Sequence, residues 1–151
     1  MDMPNVNKPA NPSLLLENQL CFALYSTSLI MTKMYKPMLD AIGLTYPQYL
    51  VMLVLWEDDG LIVSEIGERL MLDSGTLTPL LKRMAANGLL ARQRDSEDER
   101  RVRIELTTAG KLLKVRAAEI PSCIRDAAGC SVTELRSLSQ HIRKFRQSLL
   151  G

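Results

Sequence analysis

Apolar residues in this chain change period between residues 61 and 108, and that change organises the rest. Ile66 and Leu70 lie four apart, one helical repeat, behind Ser64, a good N-cap residue, with Glu65 and Glu68 near the positive end of the helix dipole. Asp73, Ser74 and Gly75 form a turn. A second helix is expected to begin between Ser74 and Thr76, with Pro79 near its first turn, where a missing N–H costs least. Leu77, Leu80, Leu81 and Met84 fall at offsets of 0, 3, 4 and 7 and form one apolar stripe. Asn87-Gly88 ends this helix. Leu89–Arg94 and Val102–Leu106 then read as two strands around a Ser-Glu-Asp-Glu-Arg loop. Helix, turn, helix and hairpin in that order predict a winged helix-turn-helix.

The flanks are helical. Residues 1–13 are polar and proline-rich and are expected to be a flexible tail. Leu14 to about Ala41 reads as one long helix, with Pro37 bending it or marking its last part. Thr45 can cap a helix over Pro47–Trp56 that is apolar nearly all round and therefore buried. Asp58-Asp59-Gly60 is a turn. After Thr108 a helix carrying Leu112, Leu113, Val115 and Ile120, kinked at Pro121, is expected to run to about Ala128 and stop at Gly129. Ser131-Val132-Thr133-Glu134 is a capping box. Beyond it Leu135, Leu138, Ile142, Phe145 and Leu149 recur at offsets of 0, 3, 7, 10 and 14, a heptad-like seam.

The expectation is a mainly α chain with a small β wing, residues 1–151 forming a single domain. Its terminal helical regions, 14–45 and 108–151, have long apolar faces that a monomer of this size can scarcely cover. They most simply cover one another across a two-fold axis. Residues 61–107 form the lobe between them.

Charge gives that lobe a partner. The net charge is only +2, so the total says nothing about partners, but the cations are concentrated locally. The exposed face of the second helix carries Ser74, Thr76, Thr78, Lys82 and Arg83; the hairpin carries Arg92, Arg94, Arg100, Arg101 and Arg103. Short hydroxyls at the leading end of a helix with cations behind them suit the major groove of double-stranded DNA, and a dimer implies a pseudo-palindromic operator. Any solvated helix face gives the same pattern with about even odds, so the hairpin decides. Asp95, Glu97, Asp98 and Glu99 nearly cancel its arginines, so some of these acids are expected to orient cations rather than repel DNA. Asp98 and Arg100, two apart, point to the same side in extended chain. The expected DNA-binding set is Ser74, Thr76, Thr78, Lys82, Arg83, Arg92, Arg94, Asp98, Arg100 and Arg101.

Other classes recede. No apolar run reaches the roughly 18 residues of a membrane span, and the N-terminus has no signal-peptide core, so a cytoplasmic protein is expected. A lone His141 without a close Cys/His pairing argues against a metal site, and nothing calls for a cofactor. Three cysteines in a reducing compartment are expected as thiols.

One of those thiols stands out. Cys21, Tyr25, Ser28, Thr32 and Tyr35 lie on one helix face at offsets of 0, 4, 7, 11 and 14, and Tyr46 follows. A buried thiol beside interface aromatics is the ordinary explanation for a lone helical cysteine. Tyr35 lies roughly 21 Å from Cys21 along a straight helix. Phenols that hydrogen-bond this sulfur, Tyr35 and Tyr46, would therefore belong to a partner subunit, and O–H donors would favour thiolate.

Two resemblances sharpen the reading. Asp98-Glu99-Arg100, five residues, then Leu106-Thr107 resembles the D-x-R-x-x-x-x-x-L-T wing signature of the multiple antibiotic resistance regulator (MarR) family of dimeric winged-helix repressors. It implies that Arg100 enters a minor groove and Asp98 braces it. The segments Asn18–Ser26, Leu44–Leu50 and Leu72–Arg83 are similar to the organic hydroperoxide resistance regulators of that family. That likeness implies a peroxide sensor with an organic hydroperoxide as oxidant. Cys21 would be its peroxidatic thiol, Tyr35 and Tyr46 of the other subunit its partners, and Tyr25 a neighbour. It also implies a second thiol that captures the oxidised one as an intersubunit disulfide. Cys123 and Cys130 are the candidates; they are seven apart, on one face if the helix is continuous, and the choice between them stays open. A MarR-type repressor relieved by a small phenolic ligand is the second reading. A thiol peroxidase is the third, weakened because no His or acid is placed in sequence to serve Cys21 as a base; the chain is expected not to be an enzyme.

Overall fold

The computed structural model describes residues 11–151. The expected tail, residues 1–13, lies largely outside them. Contacts group the chain into two units that divide between Met34 and Tyr35.

In the first unit two single-turn 3-10 helices, Pro12–Leu14 and Leu16–Asn18, precede α1, Leu20–Asp40. The long helix therefore starts at Leu20, not Leu14, and Pro12 and Ser13 are in a turn rather than a tail. Side-chain amides explain this. Asn18 Nδ2 donates to Pro12 O at 2.7 Å, and Gln19 Nε2 donates to Ser13 O at 2.8 Å and Leu15 O at 2.9 Å. Polar side chains that satisfy backbone carbonyls in this way stabilise non-helical chain. Pro37 falls in the last turn of α1, as expected.

The second unit holds the wing and the helices around it. Gly43, at φ +71°, ends the turn after α1. Helix α2, Tyr46–Glu57, opens with the Thr45–Gln48 capping box and buries Tyr49, Val51, Met52, Val54 and Leu55. A two-residue strand β1, Leu61–Ile62, leads into α3, Val63–Leu70, and α4, Ser74–Ala86. Strands β2, Leu90–Arg94, and β3, Val102–Leu106, complete an antiparallel sheet in the order β1-β3-β2. Leu90 pairs with Leu106 and Arg94 with Val102; Leu61 pairs with Ile104. β1 is too short to show an alternation, and the sequence reading missed it. Ile66, Leu77, Leu81, Met84 and Ile104 are fully buried, each stabilising the fold by roughly 1.5–3 kcal/mol through burial of its side chain.

Several local expectations need correction. Ser64 is inside α3; the cap position is Ile62, whose N–H donates to Glu65 Oε2 at 3.0 Å. Ser74 and Gly75 belong to α4, because Asp73 caps it by accepting the Thr76 N–H at 2.7 Å. Pro79 is consequently in the second turn of α4 and not its first. The helix after Thr108 is two helices, α5, Thr108–Ala117, and α6, Ile120–Ala128. Pro121 cannot donate to the Ala117 carbonyl, so one helix stops and the next restarts with proline in its first turn. α5 and α6 bury Leu113, Ala117, Ile120 and Ile124, while Leu112 and Val115 are exposed. Helix α7, Val132–Leu150, starts at the expected Ser131 capping box and buries nothing.

α5 is locked to the base of the wing. Thr107 accepts the Gly110 N–H at 3.1 Å and donates through Oγ1 to Gly88 O at 2.6 Å. Trp56 Nε1 donates to Gly110 O at 2.9 Å. A Cβ at Gly110 would lie 2.1 Å from the Leu89 carbonyl oxygen, so only glycine lets the two backbones approach this closely.

Candidate nucleic-acid interface and thiol site

With Leu77, Leu80, Leu81 and Met84 turned inward, α4 presents Ser74, Thr76, Lys82 and Arg83 to solvent and Thr78 partly so. Arg92 and Arg94 project from one face of β2, Arg92 half-buried and Arg94 exposed. The loop between β2 and β3 is folded on itself. Asp95 N–H donates to Arg101 O at 2.8 Å and Arg101 N–H to Asp98 O at 2.9 Å. Within that turn Asp98 Oδ1 accepts the Arg100 N–H at 3.0 Å and Nε–H at 3.3 Å, and Asp98 Oδ2 lies 4.0 Å from Arg101 Nε. Asp98 and Arg100 do meet, but through a turn and not through extended chain. The pair leaves the Arg100 side chain 92% exposed at the wing tip; at such exposure the ion pair is worth no more than about 1 kcal/mol, so its effect is to aim the guanidinium.

Arg103 is placed differently from the other wing cations. Its Nη1 donates to Gly60 O and its Nη2 to Asp95 Oδ2 at 3.3 Å. The Glu97 N–H beside Asp95, and then Arg103, hold that carboxyl below its usual range. Asp59 Oδ1 accepts from Gly60 N–H and from Leu106 N–H, both at 2.9 Å. Asp59, Asp95 and Arg103 thus pin the wing to β1. Asp95 is one of the acids expected to orient a wing cation, and its cation is Arg103; sequence reasoning missed Asp59 because its partner lies 47 residues away and leaves no periodic signal.

The residues expected to sense peroxide fall in both units. Cys21 is in the first turn of α1 and exposed, with Tyr25 one turn on and also exposed. In the second unit the rings of Tyr35 and Tyr46 are 5.0 Å apart, and Tyr49 joins them at 5.8 and 6.4 Å. Such tilted pairs at 4.5–7 Å gain roughly 0.5–1.5 kcal/mol beyond burial. Burial, then the neighbouring Tyr46 and Tyr49, push the Tyr35 phenol up to about 12. Burial raises Tyr46 and Tyr49 as well. All three remain neutral hydrogen-bond donors at physiological pH. Tyr49, outside the Cys21–Tyr35 pattern, packs against both expected phenols. Cys123 is exposed on α6, whereas Cys130 lies past Gly129, whose φ of +66° ends that helix. The two cysteines therefore do not share a helix face. Among the described residues no group of His, Cys, Asp and Glu is arranged to hold a metal ion, and no helix is long and apolar enough to cross a membrane.

The family model for the transcriptional regulators SarA/Rot matches residues 33–116. The organic hydroperoxide resistance transcriptional regulator of Bacillus subtilis (strain 168) is 52% identical over 134 residues, 89% of this chain and 91% of that protein. The chain belongs to the MarR and SarA type of winged-helix transcriptional regulators, among those of organic hydroperoxide resistance. Its fold matches AbfR of Staphylococcus epidermidis in two states. Reduced AbfR bound to DNA superposes with a TM-score of 0.76 at 34% identity, covering 90% of this chain and 95% of that one. Disulfide-formed AbfR gives 0.61 at 36% identity, with 89% of each chain covered.

Proposed function

We propose that this regulator is a dimeric repressor that holds a pseudo-palindromic operator while Cys21 is reduced and releases it when an organic hydroperoxide oxidises that thiol. Residues 61–107 form the DNA lobe. α4 enters the major groove with Ser74, Thr76, Thr78, Lys82 and Arg83, and Arg100, braced by Asp98, reaches the minor groove. Residues 14–45 and 108–151 pair with those of a second copy. The apolar side chains left bare on α1 and α7, among them Leu29, Ile30, Leu138 and Phe145, support this pairing. The protein works in the cytoplasm, where DNA and a reduced thiol coexist.

The observation that carries the reading is an exposed cysteine in the first turn of α1, in a chain 52% identical to a regulator named for organic hydroperoxide resistance. The chemistry balances. The Cys21 thiolate attacks the peroxide; an S–O bond forms, the O–O bond breaks, and the alcohol leaves with the proton that the thiol gave up. The sulfenic acid is then attacked by a thiol of the partner, Cys123 or Cys130; an S–S bond forms and water leaves. Disulfide formation needs Cα atoms within about 7 Å, so any greater separation in the reduced dimer obliges the helices to move and changes the spacing of the two DNA lobes.

Cumene hydroperoxide should release the wild type from operator DNA and leave the Cys21→Ser variant bound. A Cys21→Ser protein that still lets go on peroxide treatment overturns the reading. Ser at the resolving position, 123 or 130, should abolish the covalent dimer on a non-reducing gel.

A further inference from the structure

Arg92 has no role in the wing's internal ties. Its Nε is buried, with no hydrogen-bond partner. Among the described residues it also makes no ion pair, because Asp98 faces Arg100 and Arg101 and Asp95 faces Arg103. A guanidinium is always charged, and leaving one of its N–H donors desolvated and unsatisfied is unfavourable. The surroundings show what would satisfy it. Arg92 lines a cleft of about 290 Å³ between the start of α4 and the wing, with Ser64, Ser74, Thr78, Arg100 and Arg101. No carboxylate lines that cleft. Its lining is cationic and hydroxyl-rich, and Arg92 Nε is the buried donor in it left unsatisfied, which suits an oxyanion. Arg92 also borders the adjoining cleft, which holds Lys82, Arg94 and Arg100 and one carboxylate, Glu99. Ser74, Thr78 and Lys82 lie four apart on α4, so this row faces the clefts along the helix side next to the wing.

We propose that this cleft seats one backbone phosphodiester of DNA in each half-site, with Arg92 as the residue that holds it. The inference rests on the DNA-binding reading above. A planar guanidinium grips a phosphate in two-point fashion, which fixes direction as well as distance. Because the cleft is walled by α4 on one side and by the wing on the other, the seated phosphate sets how deep α4 lies in the major groove and where the wing tip meets the minor groove. Such contacts position a protein on the duplex without reading sequence.

The test uses the full-length reduced protein and a duplex that the wild type recovers from a random pool. Arg92→Ala should weaken binding about tenfold, and by the same factor for every duplex in the pool, specific or not. Its slope of log affinity against log salt should fall by about 0.9 per half-site. Arg92→Lys should restore the slope but not the affinity, because an ammonium keeps the charge and loses the two-point grip. Single methylphosphonate substitutions, which neutralise one phosphate at a time, should locate one position per half-site that weakens the wild type and leaves Arg92→Ala unaffected. An unchanged slope in Arg92→Ala, or a methylphosphonate effect that persists undiminished in that variant, overturns the proposal. Inorganic phosphate at matched ionic strength should displace DNA no better than chloride; selective displacement by phosphate with no methylphosphonate-sensitive position overturns the DNA assignment in favour of a free-anion site. A wild type that recovers no duplex overturns the DNA-binding reading itself, an outcome distinct from one in which the wild type binds and Arg92→Ala binds equally well.

Discussion

α4 and α7 each carry an apolar stripe at helical spacing, and the two meet opposite fates. On α4 the stripe of Leu77, Leu80, Leu81 and Met84 is buried against α2, α3 and β2. On α7 Leu138, Ile142, Phe145 and Leu149 are between 39% and 71% exposed, and nothing on that helix is buried. The stripes differ in width and not in apolar content: α4 has neighbours at offsets 3 and 4, the broad face of a helix in a globular core, whereas α7 has the narrow seam of a helix that pairs with another helix. A stripe at helical spacing thus says that something covers it. On α7 that cover is the second copy proposed above.

The comparison can be broken most forcefully by truncating each stripe. Leu81→Ala should cost roughly 2–5 kcal/mol of folding stability at every protein concentration, read from urea denaturation, because its cover is intramolecular. Phe145→Asp should act through concentration instead. Its denaturation midpoint should approach wild type as protein is concentrated, and sedimentation should show dissociation at micromolar levels. Equal, concentration-independent losses for the two would mean that α7 packs on its own chain.

A second contrast, between Arg100 and Arg103, separates wing cations that face solvent from those that hold the wing. Arg100→Ala should weaken operator binding by about 1–3 kcal/mol with thermal stability unchanged. Asp98→Ala should lose part of the same energy, and the double variant should lose less than the sum. Tighter binding by Asp98→Ala would show that the acid only repels DNA. Arg103→Ala should loosen the wing, seen as faster amide exchange across β3.

pH sharpens the contrast between the tyrosine cluster and the wing. Tyr35 is raised to about 12 from 10.0. The folded state therefore keeps a proton that the unfolded state gives up above 10, so this stabilisation is complete below pH 10 and is lost as pH rises towards 12. An ultraviolet titration should show part of the tyrosinate signal delayed, and Tyr35→Phe should shrink that delayed part. Asp95 is lowered, so its contribution is complete above the ordinary 3.8 and disappears as pH falls through the lower folded value. Alkali should disturb the tyrosines and acid the wing; the reverse order would contradict both assignments.

The smallest effect concerns the turn between α3 and α4. Met71 adopts φ +57°, a left-handed conformation that a side chain resists. Met71→Gly should therefore raise stability by up to about 1 kcal/mol. A loss would show that the exposed Met71 side chain makes a contact that outweighs its strain.

Much of the fold was legible because its cues are local. The α4 stripe, the Asn87-Gly88 stop, the two wing strands and the Ser131 capping box each depend on residues within one or two turns, and all appear where the spacing puts them. The errors cluster where two local cues compete. Asp73 and Ser74 are both good cap residue types, and Ser64 is a better one than Ile62, which holds the cap position of α3; only the packed chain ranks them. Asn18 and Gln19 have ordinary helix-compatible sequence, yet their amides reach back six residues and delay α1.

The winged helix-turn-helix order, the apolar faces and the side chains able to carry charge or thiol chemistry can be read along the chain, because they follow from period and residue type. Only the tertiary structure decided which cations are free and which are spent. Arg103 is tied to Gly60 and Asp95, while Arg92 is left with a buried N–H in an open cleft. Both are arginines on neighbouring, paired strands, and nothing in their own sequence context separates them. The distinction lies in partners 43 residues away, and the energy of a charge is set by what surrounds it in space.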